Sequence, residues 1–277
     1  MSLGGRAGAA DLRRVIAGIE AKADFSSAAV GRPARRAPVA RAFDGALGGG
    51  LSEDGLHEIV PAAPQAGPAA MGFALALAAR FLDPPSASGV VIGERFANLE
   101  GGALYGPGLI AHGLPLSRLV LVSVPDAVSL IWAMEEALKS GAPAVVAAEI
   151  GSLKRYGLAS SRRLALAARK GGVPALLVLA GAGGRADGLS TAAETRFEIA
   201  AAPSARRPAA AGRDLPGPFA CMARLVKARR APAGDGLRDR AARLEWRCEE
   251  KTFDDPAISL ALAAASGDRP RAAAGRR

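Results

Sequence analysis

From Ala42 onward the chain alternates between short unbroken apolar runs and longer amphipathic segments. The runs Leu56–Val60, Gly89–Ile92, Arg118–Val124, Ala144–Ile150 and Pro174–Leu179 have the length and aliphatic content of strands buried on both faces. Between them the spacing predicts helices over Ala69–Phe81 and over Gly106–His112, the second ending at Gly113. Asp126 is placed to cap a helix that runs to about Ser140 and closes at Gly141. Ser160 or Ser161 opens a further helix to Lys170, stopped by Gly171-Gly172. Strands and helices in this alternation predict an α/β fold, a mostly parallel central sheet flanked by helices.

The pattern changes after Gly181. GAGGRADG (181–188) reads as a loop, as does the proline-punctuated stretch 203–217. Thr195–Ala200, Phe219–Lys227 and Arg243–Cys248 read as strands without crossover helices, and are expected as antiparallel edge strands near the C-terminus. Ahead of the α/β pattern, Leu12, Val15, Ile16 and Ile19 fall at helical spacing within 10–23, a separate N-terminal helix. A basic Pro/Arg linker (31–41) follows it. The expected organisation is residues 1–41 as helix and linker, 42–250 as one α/β domain, and 251–277 as a partly disordered tail.

Charge and composition refine this picture. The 277 residues carry 36 Lys+Arg against 26 Asp+Glu, a net +10. Residues 1–42 hold 8 basic and 3 acidic side chains, 43–204 hold 12 and 14, and 205–277 hold 16 and 9. The excess therefore sits at both ends, where it can meet phosphates or simply be solvated. Two Cys and two His argue against a disulfide scaffold and against a His-based metal site. The first residues lack an apolar signal core, and the uncharged stretch Val60–Ala79 is broken by Pro61, Pro64 and Pro68. A cytoplasmic protein that does not enter membranes is the expectation.

Several positions could carry chemistry. The first strand leads through a loop to a helix start at Gly67-Pro68-Ala69, where an α/β nucleotide site would place Gly-Lys-Ser/Thr. The lysine and the hydroxyl are missing, and Pro68 removes an amide. Glu94 and Glu149 end the second and fourth strands, the side of an open sheet that binds ligands. His57 and His112 are isolated, and Cys221 and Cys248 do not adjoin a histidine, so nucleophilic catalysis is not indicated. The LGGGL run (47–51) suggests a tight turn or close packing, and Trp132, Met134 and Leu138 read as core. Lys227, Arg229, Arg230, Arg238, Arg240 and Arg243 flank a Gly-rich hairpin that could hold nucleic acid or an acidic partner.

The order of these segments resembles the core of the RecA ATPases, through LHEIV, GVVIGERF, the stretch 105–153 and LASSRRLALAARKGGVPALLVL. More narrowly, FDGALGGGLSEDGLHEI, WAMEEALKSGA, SRRLALAARKGGVPALL and RLEW resemble the ImuA family, RecA-like and SulA-related accessory proteins of bacterial induced mutagenesis. On that resemblance Gly67 matches the P-loop glycine, Pro68 and Ala69 its lysine and hydroxyl residue, Glu94 the catalytic glutamate and Glu149 the magnesium-side aspartate. The resemblance implies a RecA-like core with a degenerate nucleotide site, no cofactor, and a non-catalytic role in SOS-induced translesion DNA synthesis. The partners it implies are an ImuB-like polymerase-related protein, an error-prone replicative-type DNA polymerase, RecA and single-stranded DNA. Leu12, Val15, Ile16 and Ile19 would then form a partner-docking helix. A SulA-like inhibitor of cell division and an atypical ATPase are the two alternatives.

Overall fold

The structure is a computed structural model that describes residues 35–82, 86–95, 102–183, 188–208, 214–229 and 241–255. The expected N-terminal helix, Arg230, Arg238, Arg240 and the tail from residue 256 lie outside the described residues.

In chain order the elements are β1 (Arg36–Ala37), α1 (Arg41–Asp44), β2 (Leu51–Ser52), β3 (Leu56–Pro61), α2 (Gly67–Phe81), β4 (Gly89–Glu94), α3 (Gly106–Ala111), β5 (Leu119–Val124), α4 (Ala127–Ser140), β6 (Val145–Ile150), α5 (Leu158–Gly171), β7 (Ala175–Leu179) and β8 (Thr195–Ala201). They continue with β9 (Arg206–Pro208), β10 (Asp214–Pro216), β11 (Ala220–Ala228), β12 (Ala241–Arg247) and β13 (Thr252–Asp254). Nine strands form one sheet in the order β13-β12-β11-β8-β3-β7-β6-β4-β5. Strands β3 to β8 run parallel, and β11, β12 and β13 add antiparallel beyond β8. The α/β class read from the sequence is the class observed. Among the described residues no helix is long and apolar enough to cross a membrane.

Each face of the sheet has its own core. Ile59, Val91, Ala147, Val178 and Phe197 face α2, which is buried from Ala69 to Ala79. The run of alanines in α2 lets the helix lie close to the strands, and Phe43, Phe73, Phe197 and Phe253 pack ring against ring around it. Leu56, Val60, Ile92, Val146 and Leu177 face the other way, toward α4 and α5. Asp126 caps α4 by accepting from the Ser129 amide at 2.8 Å, and Gly141 closes it at φ +64°.

Four expectations are corrected. The strand at Thr195 is not an antiparallel edge addition: β8 runs parallel to β3 and antiparallel to β11, so it is the strand at which the sheet changes direction. A parallel return needs a crossover, and here the crossover from β7 carries only a 3-10 turn at Ala180–Ala182 among the described residues, leaving no helix to read. The stretch expected as linker takes part in the fold, because β1 pairs with β2 and Val39 and Ala40 are buried. Helix α5 starts at Leu158, since Ser160 sits three residues after the capping Gly157 and its hydroxyl accepts from the Gly157 amide at 2.9 Å. Finally, Met134 and Leu138 are fully buried but Trp132 is 63% exposed. The sheet-facing side of α4 carries Leu130, Ile131, Met134 and Leu138, and Trp132 falls outside that arc.

One polar cluster lies inside this apolar frame. Glu58 of β3 is fully buried and accepts from Arg196 Nε of β8 at 2.7 Å and from the Tyr156 hydroxyl. Arg196 Nη2 also donates to the Leu189 carbonyl at 2.9 Å and to Thr191 Oγ1 at 3.0 Å. Burial, then the Glu58 charge, push the Tyr156 phenol well above its usual range, so it stays a donor. Arg196→Ala leaves Glu58 buried without its cation, and should lower stability by about 3–5 kcal/mol. Urea denaturation measures this, and the double substitution Glu58→Leu/Arg196→Met should recover most of the loss.

Candidate functional site

The C-terminal ends of β3, β4 and β6 converge at one end of the sheet, where the sequence placed a nucleotide site. The corner from β3 to α2 is short: Pro61 ends the strand, Pro64–Ala66 makes a 3-10 turn and Gly67 opens the helix. Gly67 sits at φ −49° with open space around its Cα, so neither conformation nor crowding requires glycine. Pro68 withholds an amide, the helix has no side-chain cap, and residues 61–70 supply no lysine and no hydroxyl. Phosphate oxygens approaching this helix start would meet methyl groups and a proline ring.

The structure does bring Glu94 and Glu149 together. Glu94 is buried and accepts from the Gly151 amide at 3.0 Å, which ties the end of β4 to the end of β6. Glu149 projects from the other face, level with Gly93 and Ser123 on the neighbouring strands. It enters a cleft of about 180 Å³ lined by Met71, Val91, Gly93, Leu104 and Leu121. Burial, and then the charge of Glu94, push its carboxyl above the usual range. A carboxyl in an apolar cleft can hold a proton and donate a hydrogen bond. Among the described residues there is no group of three or more His, Cys, Asp or Glu arranged to hold a metal ion.

The remaining candidates are structural. His57 is fully buried, with Nε2 donating to the Ser52 carbonyl at 2.8 Å and Nδ1 therefore accepting from Thr195 Oγ1 at 2.9 Å. Burial pulls its pKa down. His112 packs its ring against Phe219, and its carbonyl accepts from Trp246 Nε1 at 3.1 Å. Burial pushes the Cys221 thiol up to about 12, which removes it as a nucleophile at neutral pH, and Cys248 follows β12 half-buried. The LGGGL run is a turn with Gly48, Gly49 and Gly50 all at positive φ. A Cβ on Gly50 would lie 2.1 Å from the Ala37 carbonyl, and Arg36 Nη1 grips the Leu47 and Gly50 carbonyls from β1.

Of the late-hairpin cations, the three among the described residues each donate to a backbone carbonyl, with Lys227 partly buried and Arg229 exposed. Lys227 Nζ donates to the Thr191 carbonyl at 2.7 Å, Arg229 to the Ala192 carbonyl at 3.4 Å, and Arg243 to the Pro203 carbonyl at 2.7 Å. The structure thus gives Lys227, Arg229 and Arg243 a role in fixing β11 and β12 to the 191–203 segment. A second basic region escaped the charge count over 43–204. Lys154, Arg155, Arg162, Arg163, Arg169 and Lys170 are all exposed in and before α5, with no acidic residue between Gly151 and Ala186. The signal was present in the sequence but averaged away by the acids of 43–150.

The raised Glu149 pKa makes a pH prediction. A carboxyl protonated more readily when folded than when unfolded stabilises the fold below the unfolded pKa, and that contribution is lost as pH rises through the folded pKa. Glu149→Gln should therefore raise Tm at neutral pH. The gain should vanish below the ordinary glutamate range, as read by thermal melts across pH.

No protein-family profile matches the chain. ImuA proteins of two Caulobacter vibrioides strains, NA1000 / CB15N and ATCC 19089 / CIP 103742 / CB 15, are each 32% identical over 169 residues. The match takes in 58% of this chain and 66% of each relative, so the chain spans just under two thirds of the length of the curated relatives it matches. Among solved structures, the RadB recombinase superposes with a TM-score of 0.45 at 18% identity, over 78% of this chain and 97% of that one. Over these 169 aligned residues the chain is similar to ImuA.

Proposed function

We propose that the protein is a non-catalytic accessory factor in SOS-induced, error-prone translesion DNA synthesis, acting by binding other proteins of the mutagenic machinery. Its partner in this reading is an ImuB-like polymerase-related protein, which links it to an error-prone replicative-type DNA polymerase. Similarity to ImuA supports the pathway. The observation that carries the mode of action is the helix start at Gly67-Pro68-Ala69. An α/β sheet has kept the place of a nucleotide site but has neither a cation, a hydroxyl nor a full set of amides there. Glu94 is spent on the Gly151 amide and Glu149 sits in an apolar cleft. What such a framework offers is surface.

A tagged protein purified from DNA-damaged cells should retain the ImuB-like protein, and Glu149→Gln should retain it equally. Loss of retention in the wild type, or filamentation of undamaged cells on overexpression, would overturn the reading, the latter in favour of a cell-division inhibitor.

A further inference from the structure

Helices α4 and α5 lie side by side on one face of the sheet, with Glu135 buried in the seam between them. On α4, Val128, Trp132, Glu135 and Lys139 recur at spacings of four, three and four, which places them along one side of the helix. On α5, Ala159, Arg163, Leu166 and Lys170 recur at the same spacings. Glu135 accepts from Arg163 across the seam and from Lys139 on its own helix at 2.8 Å, which ties the two stripes together at that point. Val128, Trp132 and Leu166 are 57%, 63% and 57% exposed along it.

We propose that this seam is a docking groove for an acidic amphipathic segment of a partner protein. The inference rests on the partner-binding reading above and names the surface and the chemistry it would use. Trp132 is a large, stiff anchor that costs little conformational entropy to immobilise, the kind of residue that dominates interface energetics. Leaving it in water one turn from Val128, with Leu166 exposed on the neighbouring helix, sets apolar side chains on both helices, the arrangement that receives the apolar face of a helix. The rim carries Arg162, Arg163 and Lys170 from α5, with no acid on that helix, and Lys139 from α4, which also pairs with the exposed Glu136 at 3.0 Å. The seam already seats one carboxylate, that of Glu135, between Arg163 and Lys139. Further carboxylates on a ligand would find Arg162 and Lys170 alongside. Trp132 offers a base a ring to stack on, so displacement by a single strand is the outcome that separates nucleic acid from a peptide, whose apolar face alone also uses Val128 and Leu166.

Trp246 is buried, so a shift in tryptophan emission on binding reports Trp132. The probe is a synthetic helical peptide with Leu and Phe on one face and Glu on its flanks, titrated into the full chain. A saturable blue shift is expected, weakening with salt. Leu166→Glu should reduce affinity about tenfold or more while leaving Tm within a few degrees. The groove is overturned by no shift, by unchanged affinity in Leu166→Glu, by equal binding of the same peptide with Lys for Glu, or by displacement of the acidic peptide by oligothymidylate. Purification from damaged cells separates the two readings. If the wild type and Trp132→Ala retain the ImuB-like protein alike, the groove is wrong and partner binding stands. If only the wild type retains it, the groove is supported. If the wild type retains nothing, the partner reading fails and the peptide titration alone decides the groove.

Discussion

The buried pair of Glu58 and Arg196 joins the two halves of this molecule. Glu58 lies on β3, in the middle of the parallel sheet, and Arg196 on β8, where the strand direction changes. Tyr156 reaches the same carboxylate from the segment that leads into α5. Arg196 holds the Leu189 carbonyl and Thr191 hydroxyl of the incoming crossover, and the Thr191 carbonyl in turn accepts from Lys227 on β11. A buried ion pair adds little net stability over a well-packed apolar substitute, but removing one member strands the other charge. Its effect is therefore on arrangement. With Glu58 in place, β8 must present Arg196 beside it, and the antiparallel strands follow from where β8 lies.

This arrangement also decides what is left at the ligand-binding end of the sheet. Strands β3, β4 and β6 deliver their C-terminal ends to one place, as open α/β sheets do. The side chains they deliver are Pro61, Glu94 and Glu149, and the helix that follows begins with Gly67, Pro68 and Ala69. The corner from residue 61 to residue 70 itself supplies neither a cation nor a hydroxyl to meet a phosphate. On the helical layer Trp132 and Leu166 stand exposed, with cations of α4 and α5 on the same helices.

Continuous apolar runs made the parallel strands legible to within two residues, even for β5, which lies at the sheet edge with Val120 and Leu121 about half exposed. The cap at Asp126 and the stop at Gly141 were equally legible, since both act through neighbours in sequence. Tertiary pairings were not. Glu58 stands as one acid inside LHEIV, and the residue that neutralises it comes 138 positions later. The direction of β8 was hidden because its crossover lacks a helical signature. Trp132 looked like core because hydrophobicity was read without the full helical arc. At the site, the missing lysine and hydroxyl were plain in the sequence. The carbonyl acceptors that Lys227, Arg229 and Arg243 find at Thr191, Ala192 and Pro203 carry no mark in a sequence.

The most direct test of the central claim, that the corner at Gly67-Pro68-Ala69 takes no nucleotide, is equilibrium binding of magnesium-ATP to the purified full chain. A bound ligand at 100 times its Kd raises folding stability by about 2.7 kcal/mol, so calorimetric titration and thermal melts in millimolar nucleotide report the same event. The account predicts no saturable heat and no rise in Tm. Saturable micromolar binding with a matching rise in Tm, both lost on substitution of Glu149, would contradict it.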